Sequence, residues 1–341
     1  MKPTWIGLDI GGANLKACDS TGRAITENFA LYRNPEQLSS QIRNLLGRLP
    51  HPHAVVVTMT AELCDCFVTR REGVNQILDS LESVINPAIT RIWGIDGKFH
   101  QISTIRQNPS LAEASNWKAL GDYIALEFFD DSQGILIDLG STTTDILAIS
   151  QGMLLSQSKT DLDRLQTGEL VYLGARRTPL SSVIAKVRFQ KKQTPVMREL
   201  FATTADIYLT LGQIEEEPEN LDTANGRPAT RSEALHRLAR MIGLDYEHFT
   251  ESDAEDLAKQ ADKAICQILH KSLERVVGTL QSSKVDQVVV SGSGAFLAAK
   301  IAGKMFPYAR LINLDDLIGA NSSSAACAYA LVKLAERKLV I

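Results

Sequence analysis

The sequence predicts an α/β protein of two related lobes, and three observations point there. The segment Ile6-Gly7-Leu8-Asp9-Ile10-Gly11-Gly12-Ala13-Asn14-Leu15-Lys16 recurs in altered form as Ile135-Leu136-Ile137-Asp138-Leu139-Gly140-Ser141-Thr142-Thr143-Thr144-Asp145. Each copy is an apolar strand ending in Asp, a turn of Gly and small polar residues, and a second apolar run. A third strand–Gly turn–helix unit follows at Val288-Val289-Val290-Ser291-Gly292-Ser293-Gly294-Ala295, running on to Lys304. Between these units, apolar runs of strand length alternate with helical patterns, as in parallel-sheet proteins. A Gly turn after a strand gathers backbone N–H groups into a concave nest suited to phosphate oxygens. The preceding Asp stands where a carboxylate can hold hydrated Mg²⁺.

The order of elements follows from local pattern. The Asp9 strand returns through Ala13–Asp19, with a turn at Ser20-Thr21-Gly22. Leu38, Ile42, Leu45 and Leu46 recur at helical spacing within 35–49. Ala54–Met59 is apolar throughout, as in strands buried on both faces. A helix over 73–84, a strand over 91–94 and an alanine-containing helix over 111–126 complete a first lobe, 1–131. Phe129-Asp130-Asp131-Ser132 is polar enough for a hinge, and the second lobe covers 132–324. Its middle, 160–228, is rich in Thr, Arg, Gly and Pro without clear periodicity, and reads as a functional or disordered loop. Gln213–Asp222 reads as a solvated acidic face. Ser252-Asp253-Ala254-Glu255 has the form of a capping box. It opens a long helix whose stripe (Leu257, Ala261, Ile265, Ile268, Leu269, Leu273, Val276, Leu280) belongs to a core. The small residues of Gly319–Ser324 lead into an Ala-rich helix, and the stretch 325–341 is expected to rejoin the first lobe.

Composition excludes several classes of function. The 341 residues suffice for two cores, and 44% hydrophobic with 22% charged residues is ordinary for a globular protein. A net charge of −4 argues against general nucleic-acid binding. No apolar stretch approaches the roughly 20 residues that span a bilayer, and Met1-Lys2-Pro3-Thr4-Trp5 enters a strand without a signal-peptide core. The expected location is therefore the cytoplasm, with no nucleic-acid or membrane partner; a homodimer is compatible with the chain. The five cysteines (Cys18, Cys64, Cys66, Cys266, Cys327) lack CxxC spacing and read as reduced thiols. His51-Pro52-His53 reads as a solvated turn.

The dinucleotide fingerprint, the P-loop and the HExxH zinc motif are absent, and Ser293 lacks nucleophile-elbow spacing. Candidate binding residues lie elsewhere. Thr58 and Thr60, with Glu62, follow a buried strand, at the end where α/β sheets bind ligands. Gly292 and Gly294 open a helix whose N-terminus suits an anion. Thr167-Gly168-Glu169-Leu170-Val171-Tyr172-Leu173-Gly174-Ala175-Arg176-Arg177-Thr178-Pro179 sets two arginines beside turn residues. Asp222-Thr223-Ala224-Asn225-Gly226-Arg227-Pro228-Ala229-Thr230 repeats that chemistry with Arg227. Arginines on rigid turns suit bidentate grips on phosphate or carboxylate.

The ordered set DIGG…K, DLGSTTTD, VVVSGSG and GANSSSAA resembles the phosphate-1, phosphate-2, adenosine and second connecting motifs of the superfamily of acetate and sugar kinases, heat-shock cognate chaperones and actin. That resemblance implies two ribonuclease-H-like lobes, an actin-like ATPase fold, with the active site in the interlobe cleft. It implies phosphate contacts from Gly11, Gly12, Asn14, Lys16, Gly140, Ser141, Thr142 and Thr143, and Mg²⁺ held by Asp9 and Asp138. TMTAEL, DxxRLxTGELVYxGxxRTP, DTAxGRPAT and SSAACAYA make nearly the whole chain resemble the hydantoinase/oxoprolinase-related proteins of tetrahydromethanopterin-linked one-carbon metabolism. The chain departs from that pattern at Asn225, where the family favours Asp. The resemblance implies a methanofuran-biosynthetic transferase that joins an aminomethylfuran-methyl diphosphate to the phenol oxygen of a tyramine-type acceptor, releasing diphosphate. Glu62, Asp145 and Glu169 are candidate bases for the phenol; Arg176, Arg177, Thr178 and Arg227 are candidate substrate contacts. The alternative is an ATP-dependent small-molecule kinase or ATPase, in which ATP occupies the phosphate loops; a non-catalytic nucleotide-gated module and a hydantoinase-type hydrolase fit the sequence less well.

Overall fold

A computed structural model describes residues 4–280 and 284–339. Its strands are β1 (Trp5–Ile10), β2 (Asn14–Asp19), β3 (Ala24–Asn28), β4 (Ala54–Met59), β5 (Thr90–Trp93), β6 (Phe99–His100), β7 (Gln133–Leu139), β8 (Thr144–Ser150), β9 (Met153–Leu154), β10 (Leu170–Val171), β11 (Lys186–Phe189), β12 (Lys192–Pro195), β13 (Gln287–Ser291) and β14 (Arg310–Asn313). The first sheet has the order β3-β2-β1-β4-β5-β6. Its first three strands form an antiparallel meander, and β1, β4 and β5 are parallel. The second sheet runs β10-β8-β7-β13-β14. Counted from the first strand of each, both read 3-2-1-4-5, the ribonuclease-H-like order, so the duplicated Asp–Gly segments mark a duplicated sheet. The protein has the actin-like ATPase fold.

The described residues divide into two compact units. One comprises the chain through Leu136, with Leu147–Arg164 and the chain from Ile312 onward; the other comprises Ile137–Ile146 and Leu165–Leu311. In the first, β1 and β4 are buried along their whole length, which is why they are apolar but for Asp9 and Thr58. Ile6, Leu8, Val55, Val57, Ile77 and Leu78 pack there into one core. The helix Ala326–Lys338 packs on β1, β2 and β4. Its alanines permit the approach: the Ala328 carbonyl lies where any side chain larger than hydrogen at Gly7 would collide with it. In the second unit the long helix Glu251–Val277 buries Leu257, Ala261, Ile265, Leu269, Leu273 and Val276, the stripe expected from the sequence, with Ile268 half-buried.

Several boundaries differ from the sequence reading, each for a local reason. The helix expected over 111–126 spans Asn116–Phe128, because Ala114 takes a left-handed φ of 45° and breaks the pattern. The long helix is capped at Thr250, two residues before the expected Ser252; Thr250 accepts from the Asp253 N–H while the Asp253 carboxylate accepts from the Thr250 N–H. The 160–228 segment is not structureless. It contains short helices at Asp161–Thr167, Leu180–Val183 and Thr204–Thr210 and the β11–β12 hairpin. All five cysteines are free thiols, and His53 Nδ1 accepts from the Thr4 N–H. No described helix is long and apolar enough to cross a membrane.

Candidate functional site

In the first unit, Asp9 stands next to the end of β1, buried, with Lys16 opposite it on β2 and Thr58 opposite it on β4. Opposed residues of paired strands share a sheet face, so the register alone gathers the carboxylate, the ammonium and the hydroxyl on one side. Thr58 Oγ1 lies 2.8 Å from Ser115 Oγ, which donates to the Trp93 carbonyl. The Gly11–Asn14 turn closes with the Gly11 N–H donating to the Asn14 carbonyl, and Thr60 donates its N–H to the Ile10 carbonyl. The TMTAEL segment is thereby tied to the first Asp–Gly turn.

Glu62 follows in a single 3₁₀ turn and is 1% exposed. Its Oε1 accepts from the Ala114 N–H at 3.0 Å, while Oε2 is buried without a hydrogen-bond partner. Burial pushes this carboxyl up to about 8; Arg70 opposes that rise only in part and Asp161 reinforces it. Around it, Arg70 Nη2 donates to Asp161 Oδ2 at 2.7 Å and Arg70 Nη1 lies 3.8 Å from Glu113 Oε2. Burial also raises the Glu113 carboxyl. Arg164 stacks its guanidinium 4.2 Å over the Trp117 ring. Arg70, Glu113, Asp161 and Arg164 were not singled out by the sequence reading; the D-x-x-R of the 161–179 motif was the available signal. The cluster can hold a proton at neutral pH in a largely desolvated place.

In the second unit three separated segments meet at one turn. The Leu139 carbonyl accepts from the Gly294 N–H, the Gly140 carbonyl from Ala175, and the Ser141 carbonyl from both Arg176 and Arg177. Gly140 closes the turn on the Thr143 carbonyl. Gly292 has a φ of +86°, and a Cβ there would collide with the Leu139 carbonyl; a Cβ at Gly174 would collide with the Ser141 backbone. The glycines are therefore what let these backbones converge. Asp138 receives a 2.6 Å hydrogen bond from Ser291 Oγ. Thr178 Oγ1 accepts from the Gly174 N–H, so this threonine shapes the turn. Asp145 is buried on β8 opposite Leu170, and Glu169, also buried, accepts at its carbonyl from Ile146.

The arginines of the same unit have partners within the chain. Arg176 Nη1 lies 2.7 Å from Glu217 Oε1 and Arg177 Nη1 lies 3.2 Å from Asp222 Oδ2. The acidic run is mostly exposed, as expected of a solvated face, and two of its carboxylates also tie down the RRTP turn. Arg227 lies 3.6 Å from Glu233 and lines a cavity of about 750 Å³ with Arg237 and Arg240. Arg237, which the sequence reading missed, is buried in an ion pair with Asp206, itself pushed upward by burial against the pull of Arg237. Among the described residues no three His, Cys, Asp or Glu side chains gather as a metal-ligating group.

A model of the hydantoinase/oxoprolinase family matches residues 53–337. The chain belongs to that family. This hydantoinase/oxoprolinase family member is 32% identical over 342 residues, 99% of both chains, to the (4-{4-[2-(gamma-L-glutamylamino)ethyl]phenoxymethyl}furan-2-yl)methanamine synthase of Methanocaldococcus jannaschii. It is 36% identical over 164 residues to the synthase of the same name from Methanococcus vannielii, across 48% of this chain and 72% of that one. Among solved structures, nucleotide-free acetone carboxylase shares the fold at a TM-score of 0.53 and 10% identity, over 97% of this chain and 70% of the other.

Proposed function

We propose that this chain is a transferase of methanofuran-type cofactor biosynthesis. It joins an aminomethylfuran-methyl diphosphate to the phenol oxygen of a γ-glutamyltyramine-like acceptor. The observation that carries the reading is the end-to-end likeness to the Methanocaldococcus jannaschii synthase, whose name describes the ether such a reaction makes. In the step, the bond between the furan methylene and the diphosphate oxygen breaks, the phenol oxygen bonds to that methylene, and the phenol proton passes to a base. The electron-rich furan stabilises positive charge on the departing methylene, so the protein has to hold the leaving group, align the acceptor and exclude water.

The converged turn of the second unit supplies Ser141 and Thr142 hydroxyls and backbone to the leaving group, the preorganised contact that developing oxyanion charge rewards. In the first unit, Lys16 shares a sheet face with Asp9 and offers a point charge to phosphate. Asp9 and Asp138 fit Mg²⁺ by donor chemistry: each is a hard carboxylate, and the Ser291 hydrogen bond orients Asp138 as ligating carboxylates are oriented. An ion held by such a carboxylate would take its remaining ligands from water and substrate phosphate. Bound there, Mg²⁺ would neutralise charge on the leaving diphosphate. Among Glu62, Asp145 and Glu169 we assign the base to Glu62. Its pKa of about 8 narrows the gap to a phenol near 10, so proton transfer is less uphill than to an ordinary carboxylate.

The test incubates the purified chain with both substrates and Mg²⁺, following diphosphate release and the ether by mass spectrometry. Equal amounts of ether and diphosphate are expected without ATP. Acceptor-dependent ADP formation from ATP, with no diphosphate-linked ether, would overturn the reading in favour of a kinase.

A further inference from the structure

Within the second unit, the 750 Å³ cavity is large enough for a small organic ligand and lies beside the DTANGRPAT loop. Its floor is Arg237, whose side chain is 1% exposed. Nε of that guanidinium donates to Asp206 Oδ1 at 2.7 Å, and Nη1 donates to Asn225 Oδ1 at 3.2 Å and to the Pro228 carbonyl at 3.3 Å. Nη2 is buried without any hydrogen-bond partner. A charged donor left unsatisfied inside a protein is costly and rare. Asn225 bears on the charge balance. Its amide oxygen accepts from Arg237, from the Arg227 N–H and from Thr223 Oγ1, holding the loop together without adding a carboxylate beside the guanidinium.

The rim carries both signs. Arg227 and Arg240 share the lining with Glu199, Asp245 and Glu247, and Arg240 lies 3.8 Å from Asp245. A diphosphate would want a clear excess of positive charge; this wall, with carboxylates matching its arginines, suits a ligand that carries a carboxylate and an ammonium together. Leu200 and Phe201 add apolar surface, and Tyr246 stacks on His236 with ring centroids 4.4 Å apart. Flat apolar surface of that kind accepts an aryl group.

We propose that this cavity binds the α-amino-acid end of an aryl-bearing acceptor, its carboxylate meeting the lining arginines and its ammonium meeting the lining carboxylates. The assignment of that end to a γ-glutamyl group rests on the reaction proposed above; the zwitterion site itself rests on the cavity.

Calorimetric titration of the full chain, without the furan substrate, tests it with γ-glutamyltyramine, L-glutamate, tyramine and sodium diphosphate as probes. γ-Glutamyltyramine should bind at least about tenfold more tightly than tyramine, and L-glutamate should compete with it. Arg237→Lys keeps the charge beside Asp206 but loses the planar fork, and should weaken γ-glutamyltyramine by about tenfold or more. If that buried variant melts well below wild type, the exposed Arg227→Ala and Arg240→Ala decide instead, with roughly three- to tenfold weakening expected. Equal affinity for tyramine and γ-glutamyltyramine would overturn the proposal, even if diphosphate-releasing turnover is found. Diphosphate binding that Arg227→Ala or Arg240→Ala abolishes would overturn it too. γ-Glutamyltyramine binding that these variants weaken would sustain the site even if no transferase activity is detected.

Discussion

Glu62→Gln should make the protein less sensitive to alkaline conditions, and the size of the effect follows from burial. The folded carboxyl is pushed up from 4.5 to about 8, chiefly by desolvation. Between those values the folded state keeps its proton while the unfolded chain has released it. The unfolded state therefore binds fewer protons, and unfolding free energy falls as pH rises through the window from about 4.5 to about 8. Each unit corresponds to about 1.4 kcal/mol, so the full window amounts to at most about 5 kcal/mol, of which about 3 kcal/mol has been lost by pH 7. Glutamine mimics the protonated acid: its Oε1 can still accept from the Ala114 N–H, and it has no charge to bury. Urea unfolding of wild type and Glu62→Gln at pH 5, 6, 7 and 8 reads the difference directly. The two should be similar at pH 5, and the variant should gain on wild type by several kcal/mol by pH 8. Stability curves that stay parallel across that range would refute the assignment of a buried, proton-holding carboxyl. The same substitution should abolish a rise in turnover with pH near 8, should Glu62 accept the phenol proton.

Further substitutions probe the architecture. Gly292→Ala forces a side chain into left-handed backbone against the Leu139 carbonyl, adding about 1–2 kcal/mol of conformational cost and about 1–3 kcal/mol of overpacking; a melting-temperature loss of many degrees is expected. Asp206→Ala strands the buried Arg237 guanidinium and should cost about 3–5 kcal/mol in denaturant unfolding, whereas Arg227→Ala, on an exposed loop, should cost less than about 1 kcal/mol. Thr250→Ala removes one half of the capping box on the long helix and should cost about 1 kcal/mol, while Ser252→Ala should cost less than about 0.5 kcal/mol; equal losses would place the cap wrongly.

What could be read from the sequence was whatever the chain settles within a few neighbours. The two Asp–Gly turns, the buried β4 and β13 runs and the stripe on Glu251–Val277 are local periodicities, and local periodicity is what burial in a sheet or against a helix face writes into a sequence. The start of the helix at Asn116 was not of that kind, because the Ala114 N–H is drawn to a carboxylate 52 positions earlier. The 160–228 segment hid its order for the same reason. Its short elements are pinned by the Arg237–Asp206 pair, by the Arg231 N–H donating to the Glu216 carboxylate, and by Gln260 on the Arg188 backbone, ties that no periodicity records. The candidate site divides along that line. Glycine turns announce where backbones converge, so the Leu139–Ser141 junction was legible in outline. How each arginine is paired was not, since that depends on which carboxylates the fold brings to each. Arg176 and Arg177 meet Glu217 and Asp222, while Arg237, in an unremarked helical stretch, holds a buried Nη2 with no partner. Pairing is a long-range property that spacing along the chain does not reveal, and it decides which donors of a guanidinium are already satisfied.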